Sequence, residues 1–240
     1  MSGRKAKAAR QAKKRQDRAR PARRELWAGR RRLLFWPVIL IALGGILAAV
    51  RLSQSGSSAP KATNRGASGY PFAVGAPGPG APAPEIRLPS TSGGTFDLAA
   101  YRGKKPVLLY FQEGLTCQPC WDQIADIERE RPKFRALGID TIVSITTDPL
   151  HLIKQKARDE GLTIPILSDE GAKVSDTYNA RTYSMTWMRP HRDGHTFILV
   201  GRDGRIRWRA DYGGPPKYTM FLPSAAMLAD LENGLRRAPA

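Results

Sequence analysis

The sequence predicts an α/β fold with a mixed central sheet flanked by helices, preceded by one transmembrane helix. Between residues 85 and 236, apolar runs that suit buried strands alternate with stretches of helical periodicity, which is the pattern of an α/β domain. A second observation is the uncharged stretch LLFWPVILIALGGILAAV, residues 33–50, which lies between Arg32 and Arg51. It is long enough to cross a bilayer.

The basic charge of the chain is concentrated before the apolar stretch. The formal net charge is +18, and residues 1–32 hold fourteen Lys and Arg against Asp17 and Glu25. So long a basic head favours an uncleaved, single-pass signal anchor over a secretory signal. The positive-inside rule then predicts a cytoplasmic N-terminus beside anionic lipid, and an extracytoplasmic domain at a bacterial-type cell membrane. No aromatic residue precedes Trp27, so the tail is not expected to bind nucleic acid.

Residues 51–84 differ in composition from the 85–236 region. They are rich in Ser, Gly, Ala and Pro and show no apolar period. Such a segment is typical of a linker that becomes stiffer toward its Pro-rich end. The sequence therefore predicts a domain boundary at residue 85, with one folded domain over residues 85–236.

The elements of this domain occur in a regular order. Residues 106–111 and 140–145 are apolar runs typical of central strands. The helix after the first strand is expected to end or kink at Pro132, and the next is expected to have Asp148 as its cap and Pro149 in its first turn. The other predicted elements are two extended pieces in 86–98, a strand at 164–167, a helix at 172–178, a hairpin at 196–211 and a helix at 224–235.

Cys117 and Cys120 are the two cysteines of the chain, in the stretch LTCQPCW directly after the first central strand. A bridge between them closes only a four-residue loop and stabilises little. A structural zinc site needs about four ligands, so reversible redox chemistry is favoured. At a helix start, Cys117 would lie near free N–H groups that lower a thiol pKa, and Pro119 suits the first helical turn.

Three stretches around and beyond the cysteines carry a family resemblance: GKKPVLLYFQEGLTCQPCW, TIVSITTDPLHLIKQKARDEGLTIPILSDEGAKVSDTYN and TFILVGRDGRI. Together they resemble the thioredoxin-like redoxin family, which includes peroxiredoxins (alkyl hydroperoxide reductase and thiol-specific antioxidant) and membrane-anchored thiol–disulfide oxidoreductases. The middle stretch is more similar to peroxiredoxins and the CxxC more similar to thioredoxins. The resemblance covers residues 82–236 and implies a thioredoxin-like fold.

The resemblance also implies an enzyme, a membrane-anchored extracytoplasmic thiol–disulfide oxidoreductase. Cys117 would be the nucleophile and Cys120 the resolving residue of a redox-active disulfide. The substrate would be a protein disulfide or dithiol, a separate electron donor or acceptor would be needed, and no cofactor is expected. Thr116, Pro119 and Trp121 adjoin the pair and are candidate supporting residues.

A thiol peroxidase is the first alternative. Aligned on the peroxiredoxin pattern P-x-x-x-T-x-x-C, Cys120 takes the place of the peroxide-attacking cysteine. Cys117 then stands where that family has Thr, and Glu113 where it has Pro. Gly194, followed by His195, stands where thioredoxins carry a cis-proline and many peroxiredoxins an Arg. Glu113, Gly194 and His195 are candidate supporting residues. Glu113 is either a proton relay or a solvated carboxylate.

A copper-binding chaperone of the Sco type is the second alternative. Soft thiolates combined with Met or His suit copper, and Met185, Met188 and His191 come shortly before His195. The two cysteines with His195 would then be the ligands. The Sco-type spacing is CxxxC rather than CxxC, so the first expectation from the sequence is that there is no metal site.

Overall fold

The computed structural model of the chain describes residues 64–184 and 192–237. All of these belong to the second of two compact units, Pro60–Ala240. The predicted transmembrane segment at residues 33–50 and the basic tail lie outside the described residues. Within the two described ranges, none of the helices combines the length and the apolar character that crossing a membrane requires.

The secondary structure of the described unit is numbered here in chain order. The strands are β1 (Asn64–Arg65), β2 (Pro71–Phe72), β3 (Arg87–Pro89), β4 (Thr95–Asp97), β5 (Val107–Phe111), β6 (Thr141–Thr146), β7 (Ile166–Ser168), β8 (Thr196–Val200) and β9 (Ile206–Asp211). The helices are α1 (Gln118–Arg129), α2 (Arg131–Ala136), α3 (Leu150–Asp159), α4 (Lys173–Thr177) and α5 (Ser224–Arg237).

A five-stranded mixed sheet lies at the centre, in the order β7-β6-β5-β8-β9. β5, β6 and β7 are parallel. Helices α1 and α2 connect β5 to β6, and α3 connects β6 to β7. β8 pairs antiparallel with β5, and β9 completes the predicted hairpin. β3 and β4, the two predicted extended pieces, form a separate antiparallel pair. The predicted order of elements is confirmed.

The central strand β5 is covered on both of its faces. Leu108 and Tyr110 point into a cluster that contains the apolar sides of α1, α3 and α5. Val107, Leu109 and Phe111 point into a second cluster beneath β3 and β4. Because both faces are buried, every residue of this strand is apolar and no alternation appears in its sequence.

Of two helix boundaries predicted from local sequence signals, one is confirmed and one is wrong. α1 ends at Arg129 and α2 starts at Arg131 with Pro132 in its first turn, so the predicted break is confirmed. The predicted Asp148 cap of α3 is wrong. Pro149 occupies the N-cap position and no side chain caps the helix. Asp148 instead turns its carboxylate toward the loop before the cysteines.

Part of the predicted linker belongs to the folded unit. Ala73 exchanges two backbone hydrogen bonds with Asp211 of β9, at 3.0 and 2.9 Å, and Phe72 and Ala83 are buried. The predicted boundary at residue 85 is therefore wrong. The physical reason is that β9 lies at the edge of the sheet, where its free N–H and C=O groups need partners. The Pro-rich segment supplies them although it has no apolar period.

A buried ion pair fixes this segment against the sheet. Arg209 and Asp211 have fully buried side chains and lie 2.8 Å apart. Asp211 also accepts a hydrogen bond from Gly75 N at 2.7 Å, and the Arg209 guanidinium donates to the carbonyls of Pro77 and Tyr178 at 3.2 and 2.8 Å. Both charges are thus satisfied in part by backbone that precedes residue 85.

Candidate active site

The two cysteines lie at the carboxyl end of the central strand. β5 ends at Phe111, residues 112–116 form a loop, and Cys117 is the N-cap residue of α1. The carbonyl of Cys117 accepts a hydrogen bond from Cys120 N at 3.0 Å. The two sulfurs are joined in a disulfide, with the Cα atoms 5.3 Å apart. Pro119 lies in the first helical turn, as predicted.

The two cysteines differ in exposure. Cys117 is 6% exposed and Cys120 is fully buried. Thr116 and Pro119 are exposed beside Cys117, as is Gln118. Cys117 is therefore the more exposed of the two residues, and Cys120 lies in the core.

Three side chains hold the backbone of the loop that leads to Cys117. Gln112 Oε1 accepts a hydrogen bond from Gly114 N at 2.7 Å, and Trp121 Nε1 donates to Gly114 O at 3.1 Å. Asp148 Oδ2 accepts from Leu115 N at 2.7 Å. Gly114 has a φ of +97°, and a Cβ at this position would overlap the Asp148 carboxylate. Trp121 is thus placed to support the loop.

Glu113 is buried, at 3% exposure. The interpretation of this residue as a solvated carboxylate is therefore wrong. Burial, together with the nearby charge of Glu113, raises the pKa of Tyr110 well above its usual value. Asp122, which flanks the dithiol on the helix side, is exposed and accepts a hydrogen bond from Gln118 at 3.1 Å.

His195 lies in the core and is part of a buried polar chain. The Tyr110 hydroxyl is 2.9 Å from its Nδ1, and Gln123 Oε1 is 3.3 Å from its Nε2. Gln123 Oε1 also accepts from Leu222 N at 2.7 Å. Burial lowers the pKa of His195 to about 3, so the imidazole is neutral at physiological pH. Gln123 lies one helical turn after Cys120, so this set of hydrogen-bonded side chains lies on the inner side of the disulfide.

Gly194 lies where three backbone segments meet. Its N–H donates to Ala180 O at 2.9 Å, and a Cβ on Gly194 would overlap the carbonyl of Tyr183. Gly213, after β9, approaches the same carbonyl and donates to His195 O at 3.2 Å. The contacts described for Gly194 thus explain why a residue without a side chain stands here.

Two cations flank the disulfide loop. Lys156 Nζ lies 5.0 Å from the centroid of the Trp121 ring and 2.9 Å from Gln118 Oε1. Arg192 forms an ion pair with the buried carboxylate of Asp148. Both cations are paired, Lys156 with Glu160 and Arg192 with Asp148, so neither adds a net positive charge beside the cysteines.

The residues considered for copper are not brought together within the described ranges. Met185, Met188 and His191 lie outside the described residues. His195 is held by Tyr110 and Gln123. In residues 64–184 and 192–237 there is no group of three or more His, Cys, Asp or Glu side chains that could hold a metal ion.

The sequence did not identify four residues that contact the loop or the core beside the disulfide. The sequence did carry a signal for two of them, because Gln112 directly follows the apolar run of β5 and Gln123 is next to Ile124 on the apolar side of α1. Asp148 was predicted to be a helix cap, because the stretch TTDP has that pattern, and not a residue of the site. For Arg192 we find no signal in the sequence.

Family and sequence comparisons show which proteins the chain resembles. A family model described as the AhpC/TSA family matches residues 79–209. A protein of Mycobacterium tuberculosis named as a peroxiredoxin is 31% identical over 132 residues, which is 53% of this chain and 81% of that protein. The thiol-disulfide oxidoreductase ResA of Bacillus anthracis is 23% identical over 128 residues, which is 53% of this chain and 66% of ResA.

Solved structures resemble the chain in fold. Peroxidoxin BcpB from Mycobacterium tuberculosis aligns with a TM-score of 0.53 and 17% identity, over 68% of this chain and 98% of BcpB. A reduced 2-Cys peroxiredoxin of Plasmodium vivax aligns with a TM-score of 0.52 and 18% identity, over 62% of this chain and 77% of that one. The predicted thioredoxin-like α/β fold with a mixed sheet is confirmed, and so is the resemblance to redoxins. The chain belongs to the AhpC/TSA family.

Proposed function

We propose that the chain is a thiol–disulfide oxidoreductase of protein substrates, in which Cys117 attacks and Cys120 resolves. Its family and relatives make it an oxidoreductase. The observation that carries the finer assignment is the unequal exposure of the bonded pair, 6% for Cys117 against none for Cys120. A sulfur that must meet a protein disulfide has to be reachable, and a sulfur that attacks only its neighbour does not.

The reaction transfers two electrons in two exchange steps. In the reduced protein, the Cys117 thiolate attacks one sulfur of the substrate disulfide. A mixed disulfide forms and one substrate thiolate leaves, taking up a proton. Cys120 then loses its proton and attacks the Cys117 sulfur, which breaks the mixed disulfide and releases the second substrate thiol. The protein is left with the Cys117–Cys120 disulfide seen in the structure.

Turnover requires a second partner. A dithiol must reduce the Cys117–Cys120 disulfide by the same two exchanges in reverse, and the described residues contain no further cysteine to act as an internal donor. A separate dithiol protein is the chemical class that fits. With a disulfide partner in its place, the same pair of cysteines would oxidise substrates.

The proposal extends to location. Residues 33–50 would anchor the chain in the membrane, with the basic tail against anionic lipid in the cytoplasm and the redox domain outside. The distribution of charge around the apolar stretch supports this orientation. Labelling of briefly reduced intact cells with a membrane-impermeant maleimide tests it. Modification of Cys117 without lysis is expected, and modification only after lysis would contradict the proposed orientation.

The exchange mechanism is tested by trapping. In Cys120→Ser the mixed disulfide cannot be resolved, so protein partners are expected to accumulate on Cys117 and to be released by reductant. In Cys117→Ser, with the buried cysteine alone, no such adducts are expected. Equal trapping by the two variants, or trapping by Cys117→Ser alone, would contradict the assigned roles.

A thiol peroxidase is the second candidate, favoured by the 31% identical relative that is named as a peroxiredoxin. In that reaction Cys120 would attack a hydroperoxide, and Cys117 would resolve the sulfenic acid. Cys120 is fully buried, which makes it less accessible to a hydroperoxide than Cys117. Hydroperoxide consumption by the reduced protein separates the two candidates. The peroxidase would be established by rapid hydroperoxide consumption in the parent, by formation of a sulfenic acid in Cys117→Ser, and by loss of consumption in Cys120→Ser.

A further inference from the structure

Asp148 is a buried carboxylate with no role in the two exchange steps of the proposed reaction. It comes after β6, is 2% exposed, and lies against the loop that leads to the cysteines. One of its oxygens, Oδ2, accepts hydrogen bonds from Leu115 N at 2.7 Å and from the Thr146 hydroxyl at 3.0 Å. The other oxygen, Oδ1, pairs with Arg192. The carboxylate is thus shared between the loop and a cation.

The loop contacts of Asp148 determine where Cys117 is placed at the start of α1. Leu115 N is the second amide before Cys117, and the preceding Gly114 is held in the left-handed region beside the same carboxylate. Gly114 O accepts a hydrogen bond from Cys117 N at 3.0 Å. Fixing the amide of Leu115 therefore fixes the turn that delivers Cys117 to the helix N-terminus.

The ion pair matters for the charge of the site. A bare carboxylate held against Leu115 would disfavour a thiolate two residues further along the chain. Arg192 neutralises that carboxylate and keeps its own side chain 30% exposed. Burial makes an unpaired charge costly whichever partner carries it. Removal of one partner should therefore change the thiol pKa of Cys117.

We infer that Asp148, paired with Arg192, is a positioning residue for Cys117. It holds the Gly114–Leu115 backbone through an oxygen acceptor, and the neutral pair leaves the Cys117 thiolate undisturbed by the carboxylate. The inference rests on the proposed function in one respect, namely that Cys117 is the attacking sulfur.

Charge and position can be separated by substitution. Asp148→Asn keeps an oxygen acceptor for Leu115 N–H but leaves Arg192 unpaired, so the thiol pKa of Cys117 should fall. Arg192→Gln leaves the carboxylate unpaired, so that pKa should rise. Each shift should change the thiolate fraction by about tenfold. The double variant is again neutral and should return within about twofold of the parent.

The measurement uses the full chain with Cys120→Ser, so that Cys117 is the one thiol that reports. The rate of alkylation by iodoacetamide against pH gives its thiol pKa. Asp176→Asn, which breaks the ion pair between the exposed Asp176 of α4 and Arg181, is the matched control and should leave that pKa unchanged. Opposite shifts that cancel in the double variant support the inference. Shifts in the same direction, or no shift in any variant, would overturn it.

A second readout tests position alone. Asp148→Ala with Arg192→Gln is neutral, like Asp148→Asn with Arg192→Gln, but offers Leu115 N–H no acceptor. It should form a mixed disulfide with oxidised glutathione at least about tenfold more slowly at equal thiolate fraction. Equal rates for the two double variants would overturn the positioning role. A parent that traps no protein partner would count against the proposed function, while the alkylation series would still decide this inference.

Discussion

At the scale of single residues, one neutral ring organises the polar groups behind the disulfide. The amide oxygen Gln123 Oε1 can only accept a hydrogen bond, so the proton of the neutral imidazole lies on Nε2 and is donated to Gln123. Nδ1 then accepts from the Tyr110 hydroxyl, which keeps its proton because burial raises its pKa. This tautomer fixes the side-chain amide of Gln123, one helical turn after Cys120.

The low pKa of His195 predicts a pH dependence of stability. Its pKa is about 3 in the folded chain against 6.5 as the ordinary value. Between these values the unfolded chain binds a proton that the folded chain does not. The contribution is therefore complete above the ordinary pKa and is lost as the pH falls, at up to about 1.4 kcal/mol per pH unit. Urea unfolding of His195→Gln should lack this slope, while the exposed His151→Gln should keep it. Parallel pH profiles for the parent and His195→Gln would contradict the prediction.

Asp193 predicts the opposite dependence. Burial, reinforced by the neighbouring charge of Asp169, raises its pKa well above 3.8, although a hydrogen bond from Ser175 acts against this. The folded chain thus holds a proton that the unfolded chain releases, and stability falls as the pH rises above the ordinary value. Asp193→Asn should remove this fall in the same urea series. An unchanged profile in that variant would show that Asp193 is ionised in the folded chain.

At the scale of elements, the loop between β5 and α1 is the part of the site where an added side chain is expected to cost the most stability. Gly114→Ala adds a Cβ at a φ of +97° and into the Asp148 carboxylate. We expect a loss of about 3 kcal/mol or more in the free energy of unfolding, since Asp148 must move. Gly138→Ala is the control, with a φ of +77° and open space around its Cβ, and should cost about 1 kcal/mol. Comparable losses would mean that strain, not overlap, dominates at Gly114.

The same scale shows what the sequence could predict. β5 and the start of α1 were predictable because a long apolar run and a proline in the first helical turn are local signals. The position of Asp148 was not, because its partners Leu115 and Arg192 are distant in sequence and the local pattern favours a helix cap. His195 was found as a candidate, but the full burial that makes it neutral is a tertiary property.

At the scale of the whole molecule, the segment before residue 85 completes the sheet. It covers the β9 edge through Ala73 and satisfies the buried Arg209–Asp211 pair through Gly75 and Pro77. Composition alone favoured a linker here, because backbone hydrogen bonds leave no trace in an apolar pattern. The sequence thus predicted the order of elements along the chain correctly but placed the start of the folded domain too late.

A truncation series tests this boundary. A fragment that begins at residue 85 loses two of the groups that satisfy the buried ion pair, and we expect it to be less stable by about 3 kcal/mol or more. A fragment that begins at residue 64 keeps these contacts and should unfold like the full chain. Urea unfolding of the two oxidised fragments measures the difference. Equal midpoints would mean that the segment rests on the sheet without stabilising it.

The position of Trp121 has an optical consequence. Its indole is buried, is anchored to Gly114 O and comes directly after the disulfide-bonded Cys120. A disulfide close to an excited indole withdraws an electron from it and quenches its emission. Light emitted by Trp121 should therefore brighten when the two sulfurs part, so that the chain carries a fluorescent indicator of its own oxidation state.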